Sequence, residues 1–132
     1  MTGTVSLRVV VADDSAFMRK VLEEIIRTDP KLEVVGQAKD GREAITMAQT
    51  LQPDVMTMDI NMPRMDGLEA TRKIRKDFVP ETQPRIIAMT ANVMKGDREK
   101  TMAAGCDGYI QKPIDIDTIT GEIEHFLTRT KS

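Results

Sequence analysis

Residues 54–67 read Asp-Val-Met-Thr-Met-Asp-Ile-Asn-Met-Pro-Arg-Met-Asp-Gly. Val55 to Met58 form a short unbroken run suited to a buried strand. Asp59 stands where that run stops, and Pro63 and Gly67 mark a turning chain just after it. A carboxylate at the carboxyl lip of a buried strand is costly unless a cation, a hydrogen-bond donor or water compensates it. Taken alone, the stretch also suits a helix cap or a solvated turn acid. What the rest of the chain brings to the same place decides between them.

Outward from Asp59, strand and helix patterns alternate. Leu7 to Ala12 is a Val-rich run closed by Asp13-Asp14, and Phe17, Val21, Leu22, Ile25 and Ile26 follow at helical spacing until Asp29-Pro30. Glu33 to Ala38 reads as a second strand, and Asp40-Gly41-Arg42-Glu43 has capping-box spacing before a helix with Ala44, Ile45, Ala48 and Leu51 on one face. Pro53 ends that helix and the Asp59 strand comes next. Asp66 and Glu69 repeat the cap spacing ahead of Leu68, Thr71 and Ile74, with Pro80 and Pro84 in the following loop. Arg85 to Thr90 is a fourth strand ending on a hydroxyl, followed by a helix from about Met94 to Ala104 that Gly105 terminates. Gly108 to Gln111 is a fifth strand leading into Lys112-Pro113. The last helix is expected from Asp115 to Thr128, with Ile116, Ile119, Ile123, Phe126 and Leu127 inward.

Composition narrows the class. At 132 residues the chain suits one domain able to bury about two-thirds of its unfolded surface. A net charge of −2 with scattered Lys and Arg argues against nucleic acid or a membrane surface as partner. No apolar run approaches the roughly 18 residues of a spanning helix, and no signal-peptide pattern opens the chain. Cys106 is the sole cysteine, which excludes an internal disulfide, fits a cytoplasmic location and reads as packing rather than a nucleophile. The ten methionines read mostly as core filler.

Five strands alternating with five helices imply an α/β fold, an open parallel sheet covered on both faces. Right-handed crossovers leave few topologies. The expectation is the doubly wound, flavodoxin-like order 2-1-3-4-5, taken over from known folds rather than derived. Such sheets bind ligands beyond the carboxyl ends of the strands where the order reverses, here between strands 1 and 3. Those ends carry Asp13, Asp14 and Asp59, while strands 4 and 5 end in Thr90 and Lys112. Converging carboxylates raise one another's pKa unless a cation joins them, and hard oxygen ligands suit Mg²⁺. Such a metal lets a phosphoryl oxygen approach an acidic pocket, so that Asp59 becomes a carboxylate nucleophile forming an acyl phosphate. Lys112 can pair with one phosphate oxygen and Thr90 can donate to another. Alone, Lys112 reads as a surface lysine paired with a neighbouring acid.

Ala12-Asp13-Asp14-Ser15, Met58 to Pro63 with Met65-Asp66-Gly67, Met89-Thr90-Ala91, and Tyr109 with Lys112-Pro113 together resemble a response-regulator receiver domain of two-component signalling over nearly the whole chain. The resemblance implies that Asp59 is the phosphoacceptor. It implies that Asp14, Asp59 and the Asn61 carbonyl ligate Mg²⁺, with Asp13 acting through water. Thr90, the Ala91 amide and Lys112 would hold the phosphate, and Thr90 and Tyr109 would form the switch; the Lys-Pro bond of such domains is usually cis, which Lys112-Pro113 permits without fixing the isomer. The implied partners are a sensor histidine kinase or phosphotransfer protein, and a downstream protein target on the face of helix 4, strand 5 and helix 5. The chain would be a monomer or a weak phosphorylation-dependent dimer. It would catalyse only its own phosphorylation and dephosphorylation, with no turnover substrate.

Ala12 to Gly67 is similar to receivers of chemotaxis methylesterases, whereas Leu68 onward looks more like receivers of hybrid kinases and stand-alone regulators. A natural mosaic or an engineered chimera would produce that pattern. Residues 1–132 are expected to be a single receiver domain with no output domain, since only Thr-Arg-Thr-Lys-Ser follows Leu127.

Two other classes fit less well. A phosphatase of the haloacid dehalogenase type places a second Asp two residues after its nucleophile, where this chain has Asn61, which cannot transfer protons. A flavin module would meet Asp13-Asp14-Ser15 in its first loop and would find no Trp and only Tyr109 for stacking. His125, the one histidine, reads as a surface or packing residue rather than a phosphodonor.

Overall fold

Val9 and Val11 turn to one side of the first strand, Val10 and Ala12 to the other, and all four are buried. The third and fourth strands repeat this two-sided burial, which requires cover on both faces of the sheet. In the computed structural model, which describes residues 6–91 and 95–128, helices provide that cover. The described strands are β1 (Leu7–Ala12), β2 (Leu32–Ala38), β3 (Val55–Asp59), β4 (Arg85–Thr90) and β5 (Gly108–Gln111). They alternate with α1 (Ala16–Ile26), α2 (Gly41–Leu51), α3 (Gly67–Asp77), α4 (Lys95–Ala104) and α5 (Ile119–Thr128). The sheet is parallel with order β2-β1-β3-β4-β5, the expected doubly wound arrangement.

One face packs Val9, Val11, Ile87, Met89 and Ile110 against Leu22, Ile25 and Ile26 of α1 and Ile119 and Ile123 of α5. The other packs Val10, Met56, Met58, Ile86 and Ala88 against Ala44 and Ala48 of α2 and Ala70 and Ile74 of α3. Ser15, Asp40 and Asp66 cap α1, α2 and α3 by accepting from the N–H of Met18, Glu43 and Glu69. Cys106 is buried beside Thr71, as packing rather than chemistry would place it.

Two apolar residues expected inward lie outward. Phe17 is 73% exposed in the first turn of α1, directly after the Ser15 cap, and α1 buries Leu22, Ile25 and Ile26 further along instead. Ile116 is 66% exposed because Asp115 to Thr118 form a turn closed on Asp115, so that α5 begins only at Ile119. Met94, the expected start of α4, falls outside the described residues, as do the side chains of Phe126 and Leu127.

Thr57, fully buried in β3, has a hydroxyl with no hydrogen-bond partner among the described residues. An unmet buried hydroxyl costs about 1–3 kcal/mol, whereas a methyl of similar size costs nothing in that respect. Thr57→Val is therefore expected to stabilise the protein by about 1 kcal/mol in a urea titration. A destabilised variant would mean that the hydroxyl has a partner.

Candidate functional site

The carboxyl ends of β1 and β3 bring Asp13, Asp14 and Asp59 together. One carboxylate oxygen from each lies within 4.8 Å of the others. Asp13 and Asp59 are buried, at 1% and 5% exposure, and Asp14 is exposed. Backbone geometry fixes the two buried acids. Asp13 N–H donates to Ala38 O at 2.9 Å, tying the end of β1 to β2. The Asp13 carboxylate accepts from Ser15 N–H at 2.9 Å, and Arg19 reaches back from α1 to Asp13 O at 2.7 Å. Asp59 Oδ1 accepts from Asn61 N–H at 3.3 Å.

Lys112 arrives from the end of β5, where its N–H donates to Thr90 O at 2.7 Å. The Lys112-Pro113 bond is cis, an isomer the sequence had left open. Lys112 Nζ lies 2.9 Å from Asp13 Oδ2 and 3.6 Å from Asp59 Oδ1, bridging the two buried acids. Burial alone would lower its pKa, but the Asp13 hydrogen bond and the Asp59 and Asp13 charges outweigh that and raise it. Burial, then the Asp13 charge, push the Asp59 carboxyl up to about 6, against the opposing pull of Lys112 and the Asn61 N–H. Three carboxylates around one bridging ammonium leave uncompensated negative charge. Such a hard-oxygen set, part buried and part open, fits a divalent cation of the Mg²⁺ type.

Thr90 is buried at the end of β4, Ala91 follows it exposed, and Asn61 is exposed two residues past Asp59. Tyr109 sits opposite Ala88 in the β4–β5 pairing, half-buried, with the Arg98 guanidinium 5.4 Å from its ring centroid. The fold thus gathers Asp13, Asp14, Asp59 and Lys112 directly and lines up Thr90 and Asn61 on the same rim. Gly67 closes the far side. A Cβ there would stand 2.3 Å from Asp59 O, so only glycine lets α3 start this close to the acid. The sequence alone did not disclose the roles of Ser15 and Arg19 in holding Asp13. Asp-x-Ser before a helix was the available signal for the first, and nothing local signals the second.

A family model described as the response regulator receiver domain matches residues 9–124. The chain belongs to that family. This receiver is 49% identical over 116 residues to a protein-glutamate methylesterase/protein-glutamine glutaminase of Pyrococcus abyssi, covering 86% of the chain and 30% of that protein. A Myxococcus xanthus counterpart is 46% identical over 111 residues, covering 82% and 30%. This receiver thus spans under a third of the length of these curated relatives. The response regulator domain of Thermotoga maritima CheB superposes with a TM-score of 0.80 at 38% identity, covering 92% of this chain and 93% of that one. Vibrio cholerae chemotaxis protein CheY4 gives a TM-score of 0.83 at 27% identity, covering 92% and 99%.

These findings correct the expected mosaic. One methylesterase relative aligns along 86% of the receiver, so a single kind of relative accounts for both sides of residue 68. Among the described residues, no helix is long and apolar enough to cross a membrane.

Proposed function

We propose that this receiver is a phosphorylation-dependent signalling switch that accepts a phosphoryl group on Asp59 from a phosphohistidine of a sensor kinase or phosphotransfer protein. The observation that carries the reading is the buried Asp13–Lys112–Asp59 arrangement beside the exposed Asp14. Asp59 attacks phosphorus, the new O–P bond forms as the donor's P–N bond breaks, and the imidazole leaves. Lys112, Thr90 and the Ala91 amide hold the phosphoryl oxygens, which are the groups where charge develops. Asp14, Asp59 and the Asn61 carbonyl would hold Mg²⁺, with Asp13 acting through water. That ion would neutralise charge between the acids and the phosphoryl group. Water attack on the acyl phosphate resets the switch. The matched share of the relatives gives no ground for assigning methylesterase activity to these 132 residues, and we read them as one receiver domain.

The cation is testable without phosphorylation. Mg²⁺ should raise the melting temperature of the parent by mass action on the folded state. Asp14→Ala should lose most of that rise because a ligand is gone. An undiminished rise in Asp14→Ala would remove Asp14 from the ligand set.

The signal leaves through the face of α4, β5 and α5. A phosphoryl group adds about 1.5–2 negative charges and three strong acceptor oxygens. The buried Thr90 hydroxyl is drawn towards it, and Tyr109, half-buried with an aromatic body and a polar tip, follows inward. Loading Asp59 with beryllium fluoride and Mg²⁺ should then shift NMR resonances around Tyr109 and α4. Thr90→Ala should still accept phosphate, more slowly, and transmit little of that shift. Equal shifts in parent and variant would break the coupling. Such a face suits a downstream protein partner, with the receiver a monomer or a phosphorylation-dependent dimer.

A further inference from the structure

Residues 60–66 join β3 to α3 and carry Asn61 past the phosphoacceptor. The loop is tied to the sheet at its start, where Ile60 N–H donates to Met89 O at 3.1 Å, and closes on itself where Gly67 N–H donates to Ile60 O at 3.0 Å. Its middle is held from α2. Arg64 Nε donates to Asp40 Oδ2 at 2.9 Å, while Asp40 Oδ1 caps α2 by accepting from Glu43 N–H at 2.9 Å. Gly41 N–H donates to Met65 O at 2.9 Å, in a fit so close that a Cβ on Gly41 would stand 2.4 Å from that oxygen.

Two features are odd for a structural contact. Arg64 has φ 65°, a left-handed conformation that a long side chain adopts at a cost. Such residues persist where the surroundings over-determine them, and they cluster at functional sites. The Arg64 side chain is also 55% exposed, so solvent screening discounts what its ion pair gives to stability, although Asp40 itself is buried and held below the usual carboxylate range by the Glu43 N–H and Arg64.

We propose that the Asp40–Arg64 pair, backed by the Gly41–Met65 hydrogen bond, is a clasp that fixes the backbone at Asn61 relative to Asp59. Asp40 and Arg64 are then positioning residues for cation binding and phosphoryl uptake. The clasp rests on the function proposed above. It acts through the loop, since neither side chain touches the acid cluster in any contact described.

Two variants separate the clasp from folding. Asp40→Asn keeps an α2 cap and removes the charge, and Arg64→Gly keeps the left-handed backbone and removes the guanidinium. Calorimetric titration with Mg²⁺ alone, melting without Mg²⁺, and labelling of Asp59 by acetyl phosphate should be run on the full chain. Both variants should bind Mg²⁺ about tenfold more weakly than the parent, as loss of an outer partner of a metal site does, whatever stability they lose by unpairing the buried Asp40. Labelling should slow in proportion at low Mg²⁺ and recover at saturating Mg²⁺, and Arg64→Lys should restore part of the affinity. Mg²⁺ affinities within about twofold of the parent in both variants would overturn the clasp, whatever the melting temperatures do. If the parent is labelled normally, that result leaves the function standing. A parent that takes no label would overturn the function and the clasp with it.

Discussion

Asp59→Asn is expected to take up no phosphoryl group from acetyl phosphate and Mg²⁺, under conditions that label the parent once. An amide oxygen is a poor nucleophile, and Asn cannot form the acyl phosphate by the same displacement. Intact-mass spectrometry reads the adduct directly, and peptide mapping places it. Full labelling of the variant would move the acceptor elsewhere, with Asp13 and Asp14 the next acids in the cluster.

The same substitution should stabilise the folded protein near neutral pH. Asp59 titrates at about 6 when folded, against an ordinary 3.8. Between those values the folded state binds more protons than the unfolded state, so stability falls as pH rises. Below about pH 4 the penalty is absent, and above about pH 6 it is complete. A displacement of that size corresponds to about 3 kcal/mol, taken as an order of magnitude. Without Mg²⁺, Asp59→Asn should therefore match the parent at pH 4 and exceed it by about 2–3 kcal/mol at pH 7 in urea denaturation. Parallel pH curves for the two proteins would show that burial and the Asp13 charge do not burden Asp59.

Strand ends were the most legible part of this chain because they join two local signals. Val9 to Ala12 and Val55 to Met58 announce burial on both faces, and the acids that follow can only be at the rim. Once the sheet order placed β1 beside β3, the meeting of Asp13 and Asp59 followed from topology. Periodicity misled at the starts of helices. Phe17 and Ile116 keep helical spacing with inward neighbours, yet Phe17 lies exposed in the first turn of α1 and Ile116 exposed in the turn before α5 begins. Long side chains that reach between elements left no trace in the sequence. Arg75 joins α3 to Gly105 and Asp107, and Arg64 joins the β3–α3 loop to Asp40, across 32 and 24 positions at the longest. Asp40 was readable as a cap, and only its second oxygen reveals the tie.

Lys112 should matter nearly as much as the acceptor itself, and for two separable reasons. Lys112→Met preserves most of the stem and removes the ammonium that lies 2.9 Å from Asp13 and 3.6 Å from Asp59. Asp13 is 1% exposed, so its charge would be left buried without that partner. Breaking a buried pair by removing one member costs about 3–5 kcal/mol. The variant should lose stability of that order at pH 7 and regain part of it with Mg²⁺, which relieves the stranded charge. The kinetic effect is distinct. In the proposed mechanism the ammonium holds a phosphoryl oxygen during transfer, and removing one such preorganised donor costs about 10²–10³ in rate. Acetyl phosphate labelling of Lys112→Met, measured at saturating Mg²⁺ where the protein is folded, should slow by that factor while still occurring at Asp59. A folded variant labelled at the parent's rate would confine Lys112 to the structural role of neutralising Asp13. The phosphoryl oxygens would then have to be held by Thr90, Ala91 and the cation alone.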